Sequence, residues 1–581
     1  MTKERNFRRR TLVKAIAAST LLPLLGSNLI ACSDGSDHRQ SETPPPETPA
    51  ITAQFLHGVA SGDPLSDRVI IWTRVTPDSE GEVFVVWEVA SDAEFGTIVR
   101  SGEGSTSATV DYTVKVDVDG LDPNTRYYYR FSVGDNLSDV AKTRTAPMGA
   151  LAQASFAVVS CANYPTGFFN VYREVANQDV DAVLHLGDYL YEYGEDGYAT
   201  DRAQEYGRVP QPSHEILSLE DYRIRYAQYR GDVDLQAAHA AHPFILVWDD
   251  HEVANNAWRE GAENHDPETE GSFSARKAAA IQAWYEWLPV RPPASEQEII
   301  YRKLPYGDLV DLLMLDTRVI ARDEQSTYPD FATGGIIDVD ATRAAINDSN
   351  RVLLGDEQLD WLKDQLTNSG ARWQVLGQQV LMARLHLPSP IMEALDPNIA
   401  GDDFVAKGTA AVLAAVAAKN TPPEQRTAEQ QALLDSAIPY NLDAWDGYNF
   451  EREALYSHAM QVGAKLVTLA GDTHNSWASQ LTTDEGEIVG VEFATSSVTS
   501  PGLDGALGVD LAAGLASLVL PLLDDLRYAD FLNRGYLTVH FTMDTVTAVW
   551  HYVSNIDSTS YTMLEDAAEE TTVNIADMVL S

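Results

Sequence analysis

Ala182-Val-Leu-His-Leu-Gly-Asp-Tyr-Leu-Tyr191 reads as a short buried strand that Gly187 breaks, with Asp188 at its carboxyl end and Tyr191 three residues on. In open α/β sheets ligands bind at that end of a strand. A carboxylate buried there needs a counter-charge or a metal. Gly-Asp after a strand is also ordinary turn chemistry, so the pair alone decides little. Repetition decides it. Phe156-Ala-Val-Val-Ser-Cys161, Phe244-Ile-Leu-Val-Trp-Asp-Asp-His251 and Lys465-Leu-Val-Thr-Leu-Ala-Gly-Asp-Thr-His474 share the same grammar, an apolar run that ends in residues able to ligate a metal.

Working outward, residues from about 155 to 553 alternate strands and helices, the α/β signature. Further strands are expected over Leu309–Asp316, Trp373–Gln378 and Val491–Thr495, and a closing hairpin over 536–542 and 546–553. Gly355 to Leu366 reads as an amphipathic helix with Leu359, Leu362 and Leu366 on one face. Gly408–Ala437 and Leu511–Leu532 read as helical insertions. From about 54 to 147 the pattern is different. Short alternating runs at 69–74, 83–88, 112–117 and 127–131, separated by turn residues, predict a fibronectin-like β-sandwich. His57 and Asp63 are its one suspicious polar pair.

The amino terminus is an address. Arg8-Arg9-Arg10-Thr-Leu-Val-Lys14 resembles a twin-arginine export signal, and Leu29-Ile-Ala-Cys32 resembles a lipobox that would place a lipid on Cys32. The intervening apolar run contains Pro23, Gly26 and Asn28, which disfavours a membrane anchor. The expected divisions are a signal peptide with lipobox over 1–32, a disordered linker over 33–53 rich in Pro, Ser, Glu and Thr, a β-sandwich over 54–147, a catalytic domain over 152–556 and an acidic tail over 557–581. The formal net charge of −45 repels nucleic acid and anionic membrane. Only two cysteines occur, Cys32 in the leader and Cys161 at a strand end, so no stapling disulfide is expected. An exported monomer is the reading, in the periplasm or on the cell surface, with the twin-arginine machinery as its partner.

The donor types specify the chemistry. Cys161, Asp188, Tyr191 and His474 offer a thiolate, a carboxylate, a phenolate and an imidazole, a set that favours Fe(III). Asp250, Asp472, the far oxygen of Asp188 and the carbonyl of Asn256 are hard oxygens that suit Ca2+. Asp472 and His474 are two apart, so on an extended segment they face the same way and can serve neighbouring ions with Asp188 between. Paired metals suit in-line attack on phosphorus. His251 is placed to act on the leaving group, Asn163 to donate to a phosphoryl oxygen and Arg318 to neutralise its charge, with Arg452 the alternative to Arg318. His185, His239 and His242 lie in apolar or helical stretches and read as core or surface residues.

Together, Ser160-Cys-Ala-Asn163, Gly187-Asp-Tyr-Leu-Tyr-Glu192, Trp248-Asp-Asp-His-Glu-Val-Ala-Asn-Asn256, Leu315-Asp-Thr-Arg318, Tyr448 to Arg452 and Gly471-Asp-Thr-His-Asn475 resemble the alkaline phosphatase D family. His57 to Asp63 and Ile71-Trp-Thr-Arg74 extend the resemblance to residues 54–553. It implies a four-layer metallophosphoesterase-like αββα core behind a small β domain. It also implies a ferric ion with calcium, Cys161 as an iron ligand, and hydrolysis of phosphate monoesters or diesters by metal-activated hydroxide, with no serine nucleophile. A purple acid phosphatase would carry Asp in place of Cys161 and Gly-His-x-His in place of Gly471 to His474. A phospholipase D-like diesterase of the same family and a non-catalytic surface lipoprotein are the other readings; the full ligand set argues against the last.

Overall fold

A computed structural model describes residues 51–293, 298–396, 399 and 404–580; the expected export signal, lipobox and most of the linker lie outside these residues. The architecture is mixed α/β with two large sheets. In the nine-stranded sheet the order is 569–574, 545–553, 534–542, 153–159, 182–185, 243–246, 59–62, 68–74 and 113–119. Gln153–Val159, Ala182–His185, Pro243–Leu246 and Val59–Gly62 run parallel. The seven-stranded sheet runs 302–306, 310–314, 373–377, 466–470, 488–494, 476–482 and 526–530, with Val310–Met314, Trp373–Gly377, Leu466–Ala470 and Ile488–Ala494 parallel.

Period-2 alternation explains how the sheets meet. Leu312, Met314, Val375, Val467, Leu469, Val491 and Phe493 of the seven-stranded sheet share one core with Phe156, Val158, Leu184 and Ile245 of the nine-stranded sheet. Their neighbours Leu313, Leu315, Leu376, Leu466 and Ala470 turn the other way. There they meet Leu362 and Leu366 of helix Gly355–Asn368 and Leu455, Tyr456 and Ala459 of helix Asn449–Val462. The parallel strands carry apolar residues on both faces because both faces are covered. Ser160 bridges to Ser497 in parallel, which joins the sheets where their carboxyl ends converge.

Three features differ from the sequence reading. The expected sandwich is not separate from the catalytic sheet. Val59–Gly62, Arg68–Arg74 and Thr113–Asp119 extend the nine-stranded sheet, and a five-stranded sheet built on Val83–Ala90 and Arg126–Val133 faces them. Val59, Val69, Ile71 and Val118 from one side and Val83, Val85, Tyr129 and Phe131 from the other fill the space between. Alternation shows that a strand has a buried face but not which sheet it joins.

The expected insertion over 511–532 begins earlier, as helices Leu503–Leu507 and Val509–Val519, and ends in a strand, Leu526–Asp530, paired with Ser476–Thr482. The other insertion forms helices Phe404–Asn420 and Ala428–Asp435.

The segment over 557–581 is not a free tail. Glu569–Asn574 is an edge strand on Thr545–Val553, with Val573, Ile575, Met578 and Leu580 buried. The acidic residues that suggested a tail, Asp557, Glu565, Asp566, Glu569, Glu570 and Asp577, surround these few buried apolar positions. Val573 is fully buried opposite Val546. Val573→Asp should therefore cost about 3 kcal/mol, typical of an unpaired charge forced into a core, and lower the denaturant midpoint. An unchanged midpoint would contradict the packing of this strand.

Candidate metal centre

The candidate ligands lie in the loops that follow the carboxyl ends of parallel strands, and five of them sit on sharply bent backbone. Cys161, Asp188, Asn256, Asp472 and His474 all have positive φ, between 51° and 62°. Non-glycine residues rarely adopt this region, and they cluster there at functional sites because the surrounding structure holds them. Gly187, at φ +102°, is the enabling residue: a Cβ there would lie 2.3 Å from Cβ of Asp249. Its absence lets the strand ends bearing Asp188 and Asp249 touch. Backbone bonds fix the loops, with Cys161 N–H donating to Gly187 O at 3.2 Å and Ala162 N–H to Asp188 O at 2.9 Å.

Three overlapping donor groups result, each with its ligand atoms within 4.8 Å of one another: Cys161, Asp188 and His474; Asp188, Asp250 and His251; Asp249, Asp250 and Asp472. Asp188 and Asp250 each belong to two of them. Tyr191 completes the first group, its hydroxyl donating to Asp188 Oδ2 at 2.9 Å and lying 3.1 Å from His474 Nε2. His474 Nδ1 donates to the Pro501 carbonyl at 2.6 Å. A carbonyl only accepts, so the proton is on Nδ1 and the Nε2 lone pair faces the centre, the tautomer that ligates metals. Asn256 N–H donates to Asp250 Oδ2 at 2.5 Å, and its amide nitrogen donates to Glu263.

Charge at this centre is unbalanced. Asp188, Asp249, Asp250, Asp443, Asp472, Glu192 and Glu252 crowd around Arg318, Arg322 and His251, and most are fully buried. Arg318 is wholly buried. Its Nε donates to Asp249, one terminal nitrogen to Asp443 Oδ2 at 2.6 Å and the other to Asp472 Oδ1 at 2.5 Å. Burial and the neighbouring carboxylates raise Asp249 well above the usual range, against Arg318. Burial pushes Asp472 up to about 7, again against Arg318. Asp250 goes the other way: burial raises it, but Arg318 and His251 outweigh burial and hold it at about 2. Burial and Asp188 raise the Cys161 thiol.

The unpaired atoms point the same way. Among the described residues, Asp188 Oδ1, Asp249 Oδ2 and both amide atoms of Asn163 are buried without a hydrogen-bond partner. Unsatisfied buried carboxylate oxygens are costly unless a cation takes them. The donor set therefore fits bound metal: one end rich in S, N and phenolate O, the other in carboxylate O.

Supporting side chains complete the centre. Glu252 accepts the N–H groups of Asp188 at 3.0 Å, Tyr189 at 2.7 Å and Asp249 at 2.7 Å, which ties two strand ends together. Burial and Asp188 nevertheless push it up to about 8. Glu192 Oε2 lies 2.6 Å from His251 Nδ1. Burial lowers the His251 pKa, but Glu192, Asp250 and Asp188 prevail and raise it.

Several residues are placed differently from the sequence expectation. Arg318 was read as a phosphate contact, yet its donors are taken by three carboxylates. Arg452, the alternative, is buried against Asp446, Asn449 Oδ1 and the Met382 carbonyl. Asp63 accepts from Arg302 at 2.6 Å and from the Arg291 N–H at 2.8 Å, and His57 packs edge-on to Trp287 at 5.2 Å. His185 and His239, by contrast, are core residues as expected, buried beside the Tyr172 and Tyr189 hydroxyls at 2.8 and 3.0 Å. Sequence reasoning passed over Asp249, although the doubled Asp in Trp248-Asp-Asp-His251 carried the signal. It also passed over Asp443, which stands in an irregular loop and has no local signature.

The sequence comparisons agree with this geometry. A family model described as PhoD-like phosphatase matches residues 156–550, and one described as PhoD-like phosphatase, N-terminal domain, matches 40–147. The chain is 38% identical over 504 residues to alkaline phosphatase D of Bacillus subtilis (strain 168), covering 83% of this chain and 75% of that one. A solved structure titled "Structure of PhoD" superposes with a TM-score of 0.73 at 33% identity, covering 92% of this chain and 93% of that one.

The raised carboxyls give a pH signature. Asp472 and Glu252 keep protons in the folded state that they release in the unfolded chain above about pH 4, so the folded state binds more protons across that window. The chelator-treated protein should lose stability as pH rises from about 4 to about 8, and divalent cations should reverse the loss. Denaturant melts across this range, with and without chelator, measure it. Stability rising with pH in chelator would contradict the assignment.

Proposed function

The chain belongs to the PhoD-like phosphatase family, and from that membership we propose how its own residues carry out phosphate-ester hydrolysis as an exported enzyme. It is an alkaline phosphatase/phosphodiesterase. The observation that carries the rest is the surplus of buried carboxylates with unpaired oxygens at Asp188 and Asp249.

Cys161, Asp188, Tyr191 and His474 would hold one cation, and their thiolate and phenolate favour Fe3+. Asp188, Asp250, Asp472 and the Asn256 carbonyl would hold Ca2+, with Asp249 added to that set by the geometry. When bound, the cations lower the pKa of a water toward neutrality and offset the charge that grows on the phosphoryl oxygens. A bound cation would also lower the Cys161 and Tyr191 pKa values that burial and Asp188 raise.

The remaining work belongs to the protein. Asn163, two residues after Cys161, has a buried, unpaired amide and is the group to donate to a phosphoryl oxygen. His251, oriented by Glu192 and with its pKa raised by the surrounding carboxylates, is the group to deliver a proton to the departing alcohol oxygen. Arg318 serves through others: it clamps Asp249, Asp443 and Asp472 in position and offsets part of their repulsion. No serine is required, since attack is direct on phosphorus. The layering we assign is helix, sheet, sheet, helix, supported by the two apolar clusters on either side of the seven-stranded sheet. Monoesters and diesters are both within reach of this chemistry.

Purified protein should contain iron and calcium and show a visible thiolate- or phenolate-to-iron absorption band. Asp188→Asn should disperse both metals and lower turnover by at least about a hundredfold, as expected for losing a ligand that sets the geometry. Cys161→Ser should fold but bind iron weakly. A colourless, fully active protein holding only zinc would refute the metal assignment.

Export rests on Arg9, Arg10 and Cys32. Lysine at both arginines should trap precursor inside the cell, and Cys32→Ala should free the protein from membranes. Unchanged fractionation of both variants would remove that reading.

A further inference from the structure

Thr495-Ser-Ser-Val-Thr-Ser-Pro501 follows strand Ile488–Ala494, and Thr495 to Ser500 are fully buried. Hydroxyl groups in such number are costly to bury unless they find partners. This segment finds most of its partners on the loop that carries Cys161. Val498 N–H donates to the Ser160 carbonyl at 3.0 Å, and Thr499 Oγ1 donates to the Asn163 carbonyl at 2.7 Å. The N–H groups of Thr499 and Ser500 donate to the Cys161 carbonyl at 3.3 and 3.2 Å. Pro501 then offers its carbonyl to His474 Nδ1 at 2.6 Å.

The Ser500 side chain reaches a different ligand. Its Oγ lies 2.7 Å from the Tyr191 hydroxyl oxygen and 2.9 Å from the Cys161 carbonyl oxygen. A serine hydroxyl has one proton for these two acceptors. The Cys161 carbonyl has two lone pairs, and the two backbone N–H groups already occupy them. The Tyr191 hydroxyl gives its own proton to Asp188 Oδ2 at 2.9 Å, where an ionised carboxylate can only accept. Donation between the two hydroxyls therefore runs from Ser500 to Tyr191. It keeps that direction when Tyr191 serves as a ligand, because a phenolate oxygen has lone pairs and no proton.

We propose that Ser500 is a positioning residue that tunes Tyr191 as a ligand. Its hydroxyl holds the Tyr191 oxygen in place and draws electron density from it, so that Tyr191 gives less of that density to the cation. This role presupposes Tyr191 as a ligand of the ferric site. Hydrogen bonds from surrounding groups to a ligand atom tune both the affinity and the potential of a metal. A bond to an ionised acceptor is stronger than one between neutral groups. Here it is also sealed from water, since Ser500 and Tyr191 are both buried. A phenolate restrained in this way leaves its cation better able to polarise a phosphoryl oxygen.

Resonance Raman scattering from the iron-loaded full chain separates phenolate from thiolate vibrations. In the wild type the phenolate vibrations should shift when the protein is prepared in D2O, because the bond comes from an exchangeable hydroxyl proton. Ser500→Ala should abolish that shift, move the phenolate-to-iron absorption band to longer wavelength and make the iron harder to reduce. Ser500→Thr, which keeps the hydroxyl, should restore all three properties. A role in packing alone predicts a less stable Ser500→Ala protein with the band and its deuterium sensitivity unchanged, and that result would overturn the tuning role. So would wild-type phenolate vibrations that are the same in H2O and D2O, a measurement that needs no variant to fold. Absence of any phenolate vibration from the iron-loaded wild type would instead bring down Tyr191 as a ligand, and the role of Ser500 with it.

Discussion

The structure is governed by one electrostatic constraint. More carboxylates are buried at the convergence of the two sheets than Arg318, Arg322 and His251 can neutralise. Burying charge without compensation costs several kcal/mol per group, roughly. Proteins meet that cost by protonating the group or by binding a cation. Both responses are visible. Asp472 and Glu252 are pushed up toward neutral pH, and Asp188 and Asp249 keep oxygens with no partner in the protein. Arg318 is the fixed part of the compensation, and a bound cation would supply the exchangeable part.

The fold is arranged to deliver these charges to one point. Parallel strands from both sheets end there, and Cys161, Asp188, Asp472 and His474, in the loops after three of them, are turned into the left-handed region. The missing side chain at Gly187 permits the close approach of Asp188 and Asp249, and Gly471 does the same against Ser160, where a Cβ would lie 2.9 Å from Ser160 Cβ. Glu252 and Ser500 then lock the loops, Ser500 through its bonds to the Cys161 carbonyl at 2.9 Å and to the Tyr191 hydroxyl at 2.7 Å. Strain at single residues is held by hydrogen bonds to backbone that lies far away in sequence.

This division explains what could be read from the chain alone. The four strand ends were legible because strand, break and ligand are contiguous in sequence, as at Leu186-Gly-Asp188 and Ala470-Gly-Asp472. The closing hairpin was legible for the same reason and is found at Arg534–Thr542 and Thr545–Val553. Asp443 was not, because only tertiary folding brings its loop to Arg318. The role of Arg318 was misjudged because a sequence shows a guanidinium without its partners. The edge strand at Glu569–Asn574 was hidden by its acidic exposed face. The merging of the N-terminal strands with the catalytic sheet depends on pairing between Pro243 and Ser61, which no local pattern encodes.

The most direct test is diffraction from crystals of the purified protein, recorded on both sides of the iron absorption edge. The expected result is an anomalous peak bounded by Cys161 Sγ, Asp188, Tyr191 and His474 Nε2 that vanishes below the edge. Beside it should stand a second, edge-independent peak of cation density among Asp188, Asp250 and Asp472. Density at neither place in an active crystal, with Asp188 and Asp249 satisfied by protein or water alone, would contradict the view that metal completes this centre.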